Sequence, residues 1–149
     1  MNPNQNEKTQ RLFFALWPDE GVRARIQEMA ARLPLREGRR VSEDNLHITL
    51  VFLGSVAESS RLCAEAVADG VAATPFTLSL DQLGYWPRPR VVWLGTSVIP
   101  EELARLESAL RQGVTQCGIG VDDRPYAPHM TLLRKVSHTV QTGTVEPIE

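Results

Sequence analysis

The chain of 149 residues contains one short pattern, His-x-Thr-Leu, twice, at residues 47–50 and 129–132. Each copy lies in an apolar run that has the length of a β-strand. Each run also closes a similar succession of strand, helix and strand, the first beginning at residues 11–17 and the second at residues 90–95. We therefore expect a two-lobed, pseudo-symmetric α+β domain, with antiparallel sheets lining a central groove and helices outside.

Apolar patterning and turn residues divide the chain into short elements. Five strands are predicted, the last of them being the final clear strand: residues 11–17, 46–53, 76–83, 90–95 and 127–133. Three helices are predicted, at residues 19–33, from about 58 and from 100. We expect residues 1–10 to be a disordered polar tail and residues 11–149 to form one domain.

Charge and composition exclude several classes of protein. A net charge of −2 argues against binding long duplex nucleic acid through many phosphates, whereas a small anionic substrate is compatible with it. No apolar run reaches the ~20 residues that span a bilayer, and the N-terminus lacks the apolar core of a signal peptide. Cys63 and Cys117 match neither a disulfide framework nor a zinc ribbon. We therefore expect both cysteines to be reduced thiols, with Cys63 as a small buried residue. We also expect the protein to be monomeric and cytoplasmic.

The two motifs sort their residues by chemistry, because successive side chains on a strand point to opposite faces. His47 and Thr49 share one face, and His129 and Thr131 share one face of the second strand. Apolar residues such as Ile48 point the other way, where helices can cover them. If the two strands lie near each other, four polar side chains converge on one groove. A lone strand histidine is usually a half-buried structural residue, but two matched copies disfavour that interpretation.

Two imidazoles and two hydroxyls suit the opening of a phosphodiester. One group takes a proton from the attacking water while another gives a proton to the departing ribose oxygen. Histidine can do either near neutral pH, and the hydroxyls of Thr49 and Thr131 can hold the non-bridging phosphate oxygens. Neither carboxylates nor cysteines accompany the histidines at the spacing of a zinc site, so we expect no metal and no cofactor.

Further side chains are candidates for the rim of the groove. Arg134 could bind phosphate oxygens, but its odd offset from Thr131 requires a turn or bulge to bring it to the same face. Trp86 and Tyr126 border the groove, where they either stack a nucleobase or pack in a loop. Four arginines either extend a positive rim or are surface charges: Arg39, Arg40, Arg88 and Arg90. Four aromatic residues lie in apolar strand runs and are expected in the core: Phe13, Phe14, Trp17 and Trp93. No role is assigned to His138.

With these motifs the chain resembles the 2H phosphoesterase superfamily, and most closely the RNA 2′,3′-cyclic phosphodiesterases, also described as 2′-5′ RNA ligases. The resemblance runs from about residue 11 to 135 through four blocks in the family's order: RLFFAL, NLHITLVFLG, RVVWLG and PHMTLLR. It implies metal-free hydrolysis of a terminal RNA 2′,3′-cyclic phosphate to a 2′-phosphate. His47 would be the proton donor to the leaving 3′ oxygen and His129 the proton acceptor for water, while Thr49, Thr131 and Arg134 would bind phosphate.

The chain also departs from the family, and rival functions stay open. Members of the family continue past the second motif into further strands, so this chain, which stops at Glu149, is expected to lack about a strand pair. One rival is a non-catalytic nucleotide-binding module of the same fold. Another is a phosphodiesterase or ligase that acts on 2′-5′-linked or other cyclic nucleotides. The expected partner is an RNA 3′ end or a small cyclic nucleotide.

Overall fold

The computed structural model describes residues 8–34, 38–138 and 140–149. In this part of the chain the helices are α1 (Glu20–Ala31), α2 (Glu58–Gly70) and α3 (Glu101–Gln116), with one turn of 3₁₀ helix at Glu43–Asn45. The strands are β1 (Thr9–Leu16), β2 (Arg39–Arg40), β3 (Ile48–Ala57), β4 (Leu80–Trp86), β5 (Val91–Gly95), β6 (His129–Arg134) and β7 (Gly143–Ile148). The α+β class expected from the sequence is confirmed.

The strands form a sheet in which hydrogen-bonded neighbours follow the order β1-β3-β6-β5-β4-β7, and β2 pairs with β6 beside that path. β6 is antiparallel to β2, β3 and β5, and β4 is antiparallel to β5 and β7. β4 and β5 form a hairpin whose ladder ends at the pair Trp86 and Val91. The strand that carries the second His-x-Thr-Leu copy therefore lies in the interior of the sheet.

The described residues group into two compact units, each assembled from three segments of the chain. The first unit takes the segment that ends at Phe14 together with residues 50–76 and 101–126. The second takes residues 15–49, 77–100 and 127–149. Both histidines of the repeated motif belong to the second unit.

In the first unit α2 packs against α3. Leu103, Leu110 and Val114 form the buried face of α3, at the spacing of an amphipathic helix. A glycine permits the close approach of the two helices, since a methyl group on Gly113 would lie 2.2 Å from Cγ1 of Val67. The amphipathic pattern predicted for this helix is thus the one that the packing uses.

The same packing overturns the expectation of two reduced thiols. Cys63 of α2 and Cys117, directly after α3, form a disulfide with Cα atoms 5.9 Å apart. Linear spacing did not indicate this pair because the packing of two helices brings the cysteines together. Disulfides persist mainly in oxidising compartments, so the cysteines no longer support a cytoplasmic location.

The core of the second unit lies between α1 and the sheet. Ile26 and Ala30, one turn apart on α1, cluster with the buried residues Val92 and Leu94 of β5 and with Met130 of β6. α1 begins after Asp19, whose carboxylate accepts a hydrogen bond from the backbone N–H of Val22. Because the helix covers one face of these strands, the polar residues of β6 occupy the opposite face.

Several predicted boundaries are wrong by a few residues. Residues 76–79 are not part of a strand, and β4 instead continues to Trp86, since the hairpin ladder with β5 extends that far. β7 was not predicted because it contains Pro147. It lies at the end of the sheet order, where the missing N–H of proline removes no bond from an interior ladder. β1 begins at Thr9, inside the predicted tail, and residues 1–7 lie outside the described part of the chain.

The assignment of four aromatic residues to the core is mostly wrong. Phe14 is half-buried. Trp93 is also half-buried, but it lies on the face of the sheet opposite the core residues Val92 and Leu94. Phe13 and Trp17 are 39% and 54% exposed. Phe13 belongs to β1, which lies at the end of the sheet order, and Trp17 directly follows that strand. An apolar run on an edge strand is therefore a weaker indicator of burial than the same run inside the sheet.

Candidate active site

The two His-x-Thr-Leu copies lie on neighbouring antiparallel strands. The second copy is part of β6, and the first begins one residue before β3. The ladder between these strands pairs Ile48 with Met130, the middle residues of the two motifs. Continued by one residue in each direction, this register sets each histidine across from the threonine of the other strand. Both histidines and both threonines therefore come to one face.

Burial follows the alternation that the sequence predicts. The two histidines and two threonines are half-buried, whereas the residues between and beside them are buried: Leu46, Ile48, Leu50, Met130 and Leu132. A half-buried polar side chain next to buried apolar ones is the arrangement of a site on the face of a sheet. The predicted grouping of the motif residues is confirmed.

Each histidine is held by a contact between its Nδ1 and the backbone carbonyl oxygen of the residue two positions earlier. Nδ1 of His47 lies 2.7 Å from the carbonyl oxygen of Asn45, and Nδ1 of His129 lies 2.7 Å from that of Ala127. A carbonyl oxygen only accepts hydrogen bonds, so Nδ1 must carry the hydrogen in each ring. Nε2 is then the nitrogen that gains or loses a proton, as acid–base catalysis requires.

The surroundings of the two imidazoles differ. Burial lowers the pKa of His129, the hydrogen bond to Ala127 raises it, and the charge of His47 lowers it further. The net effect is a decrease, which favours the neutral ring at a given pH. A neutral imidazole with its hydrogen on Nδ1 can accept a proton at Nε2, so His129 is suited to the role of base.

Each histidine also contacts a tryptophan. The rings of Trp17 and His47 have centroids 4.9 Å apart, and those of Trp86 and His129 are 4.6 Å apart in an edge-on arrangement. The interpretation of Trp86 as a residue near the groove is consistent with this contact, and base stacking by Trp86 stays a prediction. Trp17 was missed, although its place before Pro18 at the end of an apolar run is a usable signal.

Arg134 lies after an irregularity in β6. The ladder with β5 passes from the pair of Trp93 and Thr131 to the pair of Val92 and Leu133, so Leu132 is an extra residue on β6. Such a bulge shifts the alternation by one position. Leu132 and Leu133 are accordingly both buried, and Arg134 is exposed on the side of Thr131. The sequence required a turn or bulge to bring Arg134 to the face of Thr131, and this bulge does so; phosphate binding by Arg134 stays a prediction.

The other arginines of the proposed rim have separate surroundings. Arg40 donates from Nη2 to the carbonyl oxygens of Ala31 and Leu33, at 3.3 and 3.0 Å, and so holds the end of α1. Its assignment to the rim is not supported by these bonds. The remaining three are exposed: Arg39, Arg88 and Arg90.

Tyr126 belongs to the first compact unit, where it is half-buried. Burial raises the pKa of Tyr126, and the negative charge of Glu107 raises it further. Its use as a stacking residue stays a prediction. His138, which was given no role, lies between the core residues Val136 and Val140 in sequence, and its ring nitrogens find no hydrogen-bond partner among the described residues.

The described residues show neither a cluster suited to a metal ion nor a helix suited to crossing a membrane. No group of three or more His, Cys, Asp or Glu side chains in residues 8–34, 38–138 and 140–149 is arranged to hold a metal ion. In the same ranges no helix combines the length and apolar character needed to cross a membrane.

Comparison with known proteins gives consistent matches. Residues 18–148 match the family model of the 2′-5′ RNA ligase superfamily. The RNA 2′,3′-cyclic phosphodiesterase of Escherichia coli is 41% identical over 132 residues, which are 88% of this chain and 75% of that protein. The protein of the same name from Archaeoglobus fulgidus is 33% identical over 128 residues, 83% of this chain and 72% of its own. The crystal structure of E. coli LigT complexed with 3′-AMP has a TM-score of 0.85 and 38% identity, covering 95% of this chain and 80% of that one.

Proposed function

The chain belongs to the 2′-5′ RNA ligase superfamily, and we propose that it hydrolyses the terminal 2′,3′-cyclic phosphate of RNA to a 2′-phosphate. The observation that carries the proposal is the pair of imidazoles on adjacent strands, each fixed through Nδ1 by a backbone carbonyl. The names of the relatives from E. coli and A. fulgidus, RNA 2′,3′-cyclic phosphodiesterase, supply the substrate.

In the proposed reaction the two histidines exchange protons with opposite ends of an in-line displacement. Water attacks phosphorus while Nε2 of neutral His129 takes one of its protons. The bond from phosphorus to the 3′ oxygen breaks, and Nε2 of protonated His47 gives its proton to that oxygen. One water is consumed, one P–O bond forms and one breaks, and a 2′-phosphate with a free 3′-hydroxyl remains. The lowered pKa of His129 supports this division of roles.

Three further side chains are proposed to hold the phosphate. Thr49 and Thr131 lie on the face of the histidines, where each hydroxyl can donate to a non-bridging oxygen as charge builds up. Arg134, brought to that side by the bulge at Leu132, supplies a fixed positive charge. The proton transfers and the charge stabilisation are then accounted for by side chains, so we propose that the reaction needs no metal and no cofactor.

The test is to incubate the protein, in the presence of a chelator, with a short RNA that ends in a 2′,3′-cyclic phosphate. The product is identified by chromatography against 2′- and 3′-phosphate standards, and His47→Asn is the inactive control. We expect a 2′-phosphate from the wild type alone. Loss of activity in chelator would contradict the metal-free mechanism. Retained RNA binding without product would favour the rival non-catalytic module.

The family's description as ligases supports one second candidate, the joining of RNA ends through a 2′-5′ link. The same acid–base pair would serve this reaction with the 5′-hydroxyl in place of water: His129 would take the hydroxyl proton, the 5′ oxygen would bond to phosphorus, and His47 would protonate the 3′ oxygen as its bond to phosphorus breaks. Incubation of a cyclic phosphate end with an RNA carrying a 5′-hydroxyl tests it, and a longer product that resists a 3′-5′-specific nuclease would support it.

The state of the protein in the cell is also a proposal. We propose that the protein is an active monomer, since every proposed site residue lies within a single copy of the chain, and that residues 11–149 form one domain. Light scattering and a single unfolding transition test these two statements. We also propose that the protein works in the cytoplasm, where RNA is processed. Fractionation of cells, with a count of free thiols in each fraction, tests the location against the disulfide.

A further inference from the structure

The face of the sheet beside His129 carries an unusual set of residues. In the ladder between β5 and β6, Gly95 is the partner of His129 and Trp93 is the partner of Thr131. In the ladder between β4 and β5, Gly84 is the partner of Trp93. Opposed residues of antiparallel strands point to the same face, so Trp93 shares the face of His129. It is a large side chain in a neighbourhood of glycines.

The indole of Trp93 lies over these glycines. A methyl group on Gly84 would be 2.0 Å from Cζ2 of Trp93, and a methyl group on Gly95 would be 2.8 Å from its Cζ3. Both distances are well below the roughly 3.5 Å at which carbon atoms touch. The ring therefore lies flat on the sheet only because both positions lack a side chain.

Trp86 continues this apolar surface as far as His129. Its ring centroid lies 5.0 Å from that of Trp93 and 4.6 Å from that of His129, while the centroids of Trp93 and His129 are 6.5 Å apart. A second restraint on the imidazole is the hydrogen bond from Nδ1 to Ala127. The ring is thus fixed by a hydrogen bond and by edge-on aromatic contacts, an arrangement that orients Nε2.

We infer that Trp86 and Trp93 are positioning residues, which form an apolar wall that orients the His129 imidazole and excludes water from one side of it. This inference rests on the proposed function, in which His129 is the base. The wall explains why burial is the largest effect on the pKa of His129. His47 is the ionisable side chain whose charge also acts on His129, and it acts in the same direction as burial.

The first test replaces Trp86, which directly contacts His129, with alanine. The pKa of each histidine is followed by NMR titration of labelled imidazoles, and kcat is measured against pH. Because Trp86→Ala admits water to the ring, the pKa of His129 should rise toward its ordinary value, and the acid limb of kcat should move to higher pH. At a fixed pH on that limb, kcat should fall about tenfold for each pH unit that the limb moves. Trp86→Phe, which keeps an aromatic wall, should restore most of the loss.

The second test acts through Trp93 without touching the histidine. Gly84→Ala places a methyl group against the indole and should push it away from the sheet, with the same direction of change in the pKa of His129. Gly70→Ala is the matched control, since a methyl group there meets nothing within 4 Å. If Gly84→Ala lowers the folded fraction, Trp93→Phe opens the wall without adding atoms and is measured instead.

The outcomes separate this inference from the proposed function. If the pKa of His129 were unchanged in folded Trp86→Ala and Trp93→Phe proteins, the inference that Trp86 and Trp93 form an apolar wall beside His129 would be wrong, whatever the activity of these variants. A wild-type protein that opens no cyclic phosphate would overturn the proposed function, while the NMR titration would still show whether the indoles set the pKa of His129.

Discussion

Replacement of each histidine by asparagine separates the proposed proton transfer from the fold. The amide nitrogen of asparagine takes roughly the place of the imidazole Nδ1, so it can still donate to the carbonyl oxygen of Asn45 or Ala127. Each of these bonds is 2.7 Å long in the wild type. A hydrogen bond of this kind contributes about 1 kcal/mol to stability. We therefore predict that His47→Asn and His129→Asn change the free energy of unfolding by no more than about 1 kcal/mol.

The same substitutions remove Nε2 and should be severe for catalysis. General acid or base catalysis contributes about 10²- to 10⁴-fold, so kcat should fall by that factor in each variant, equivalent to about 3 to 5 kcal/mol. The double variant should be little slower than either single one, because the two groups act in one transition state. Single-turnover rates on an RNA with a 2′,3′-cyclic end, with chemical denaturation as the stability control, measure both quantities.

The result that would refute this reasoning is specific. If either asparagine variant kept activity within about tenfold of the wild type while folding normally, that histidine would not transfer a proton in the rate-limiting step. If activity fell only together with a large loss of stability, the hydrogen bond to the carbonyl would not have been preserved. Near-UV circular dichroism of each variant distinguishes these two cases.

Three further predictions concern pH, phosphate binding and the disulfide. The pKa of His129 in the folded protein lies below its ordinary value of 6.5, so between these two pKa values the unfolded chain binds more protons than the folded one. The contribution of His129 to the free energy of unfolding is therefore fully present above pH 6.5 and is lost as the pH falls through the folded pKa. His129→Asn should remove this part of the pH dependence in denaturant titrations. Thr49→Val and Thr131→Val, which exchange a hydroxyl for a methyl group, should each lower kcat/KM about 10- to 100-fold, and an unchanged kcat/KM would exclude that hydroxyl from phosphate binding. Reduction of the bond between Cys63 and Cys117, which closes a span of 54 residues, should lower stability by up to about 4 kcal/mol on chain-entropy grounds; equal Tm values with and without reductant would contradict this.

The site could be predicted from the sequence because its geometry is local. Strand alternation alone places His47 with Thr49 and His129 with Thr131, and the repeat implies that the two pairs belong together. Parity also set a condition on Arg134: an odd offset cannot reach the same face of a regular strand, so its place beside Thr131 required a turn or bulge. These inferences needed only the period of a strand and the chemistry of the side chains.

The features that were missed depend on contacts between distant segments. The disulfide forms because α2 packs on α3, and linear spacing carries no record of that packing. β7 is a strand because β4 offers it an edge, although Pro147 argues against a strand in isolation. The exposure of Trp17 likewise depends on which other segments of the chain pack over the residues after β1, and the local sequence does not specify this. Tertiary context decided each of these cases, and local propensity did not.

The two halves of the site show how one repeated motif can provide both an acid and a base. The motif fixes each imidazole in the same way, with Nδ1 on a carbonyl two residues earlier, so Nε2 is the nitrogen that can exchange a proton in both rings. Their neighbours are different. His47 lies beside Trp17, which is 54% exposed, whereas His129 lies against the wall of Trp86 and Trp93. Since an apolar wall disfavours the imidazolium ion, this asymmetry of the tryptophans supports the proposed assignment of His129 as the base of the pair.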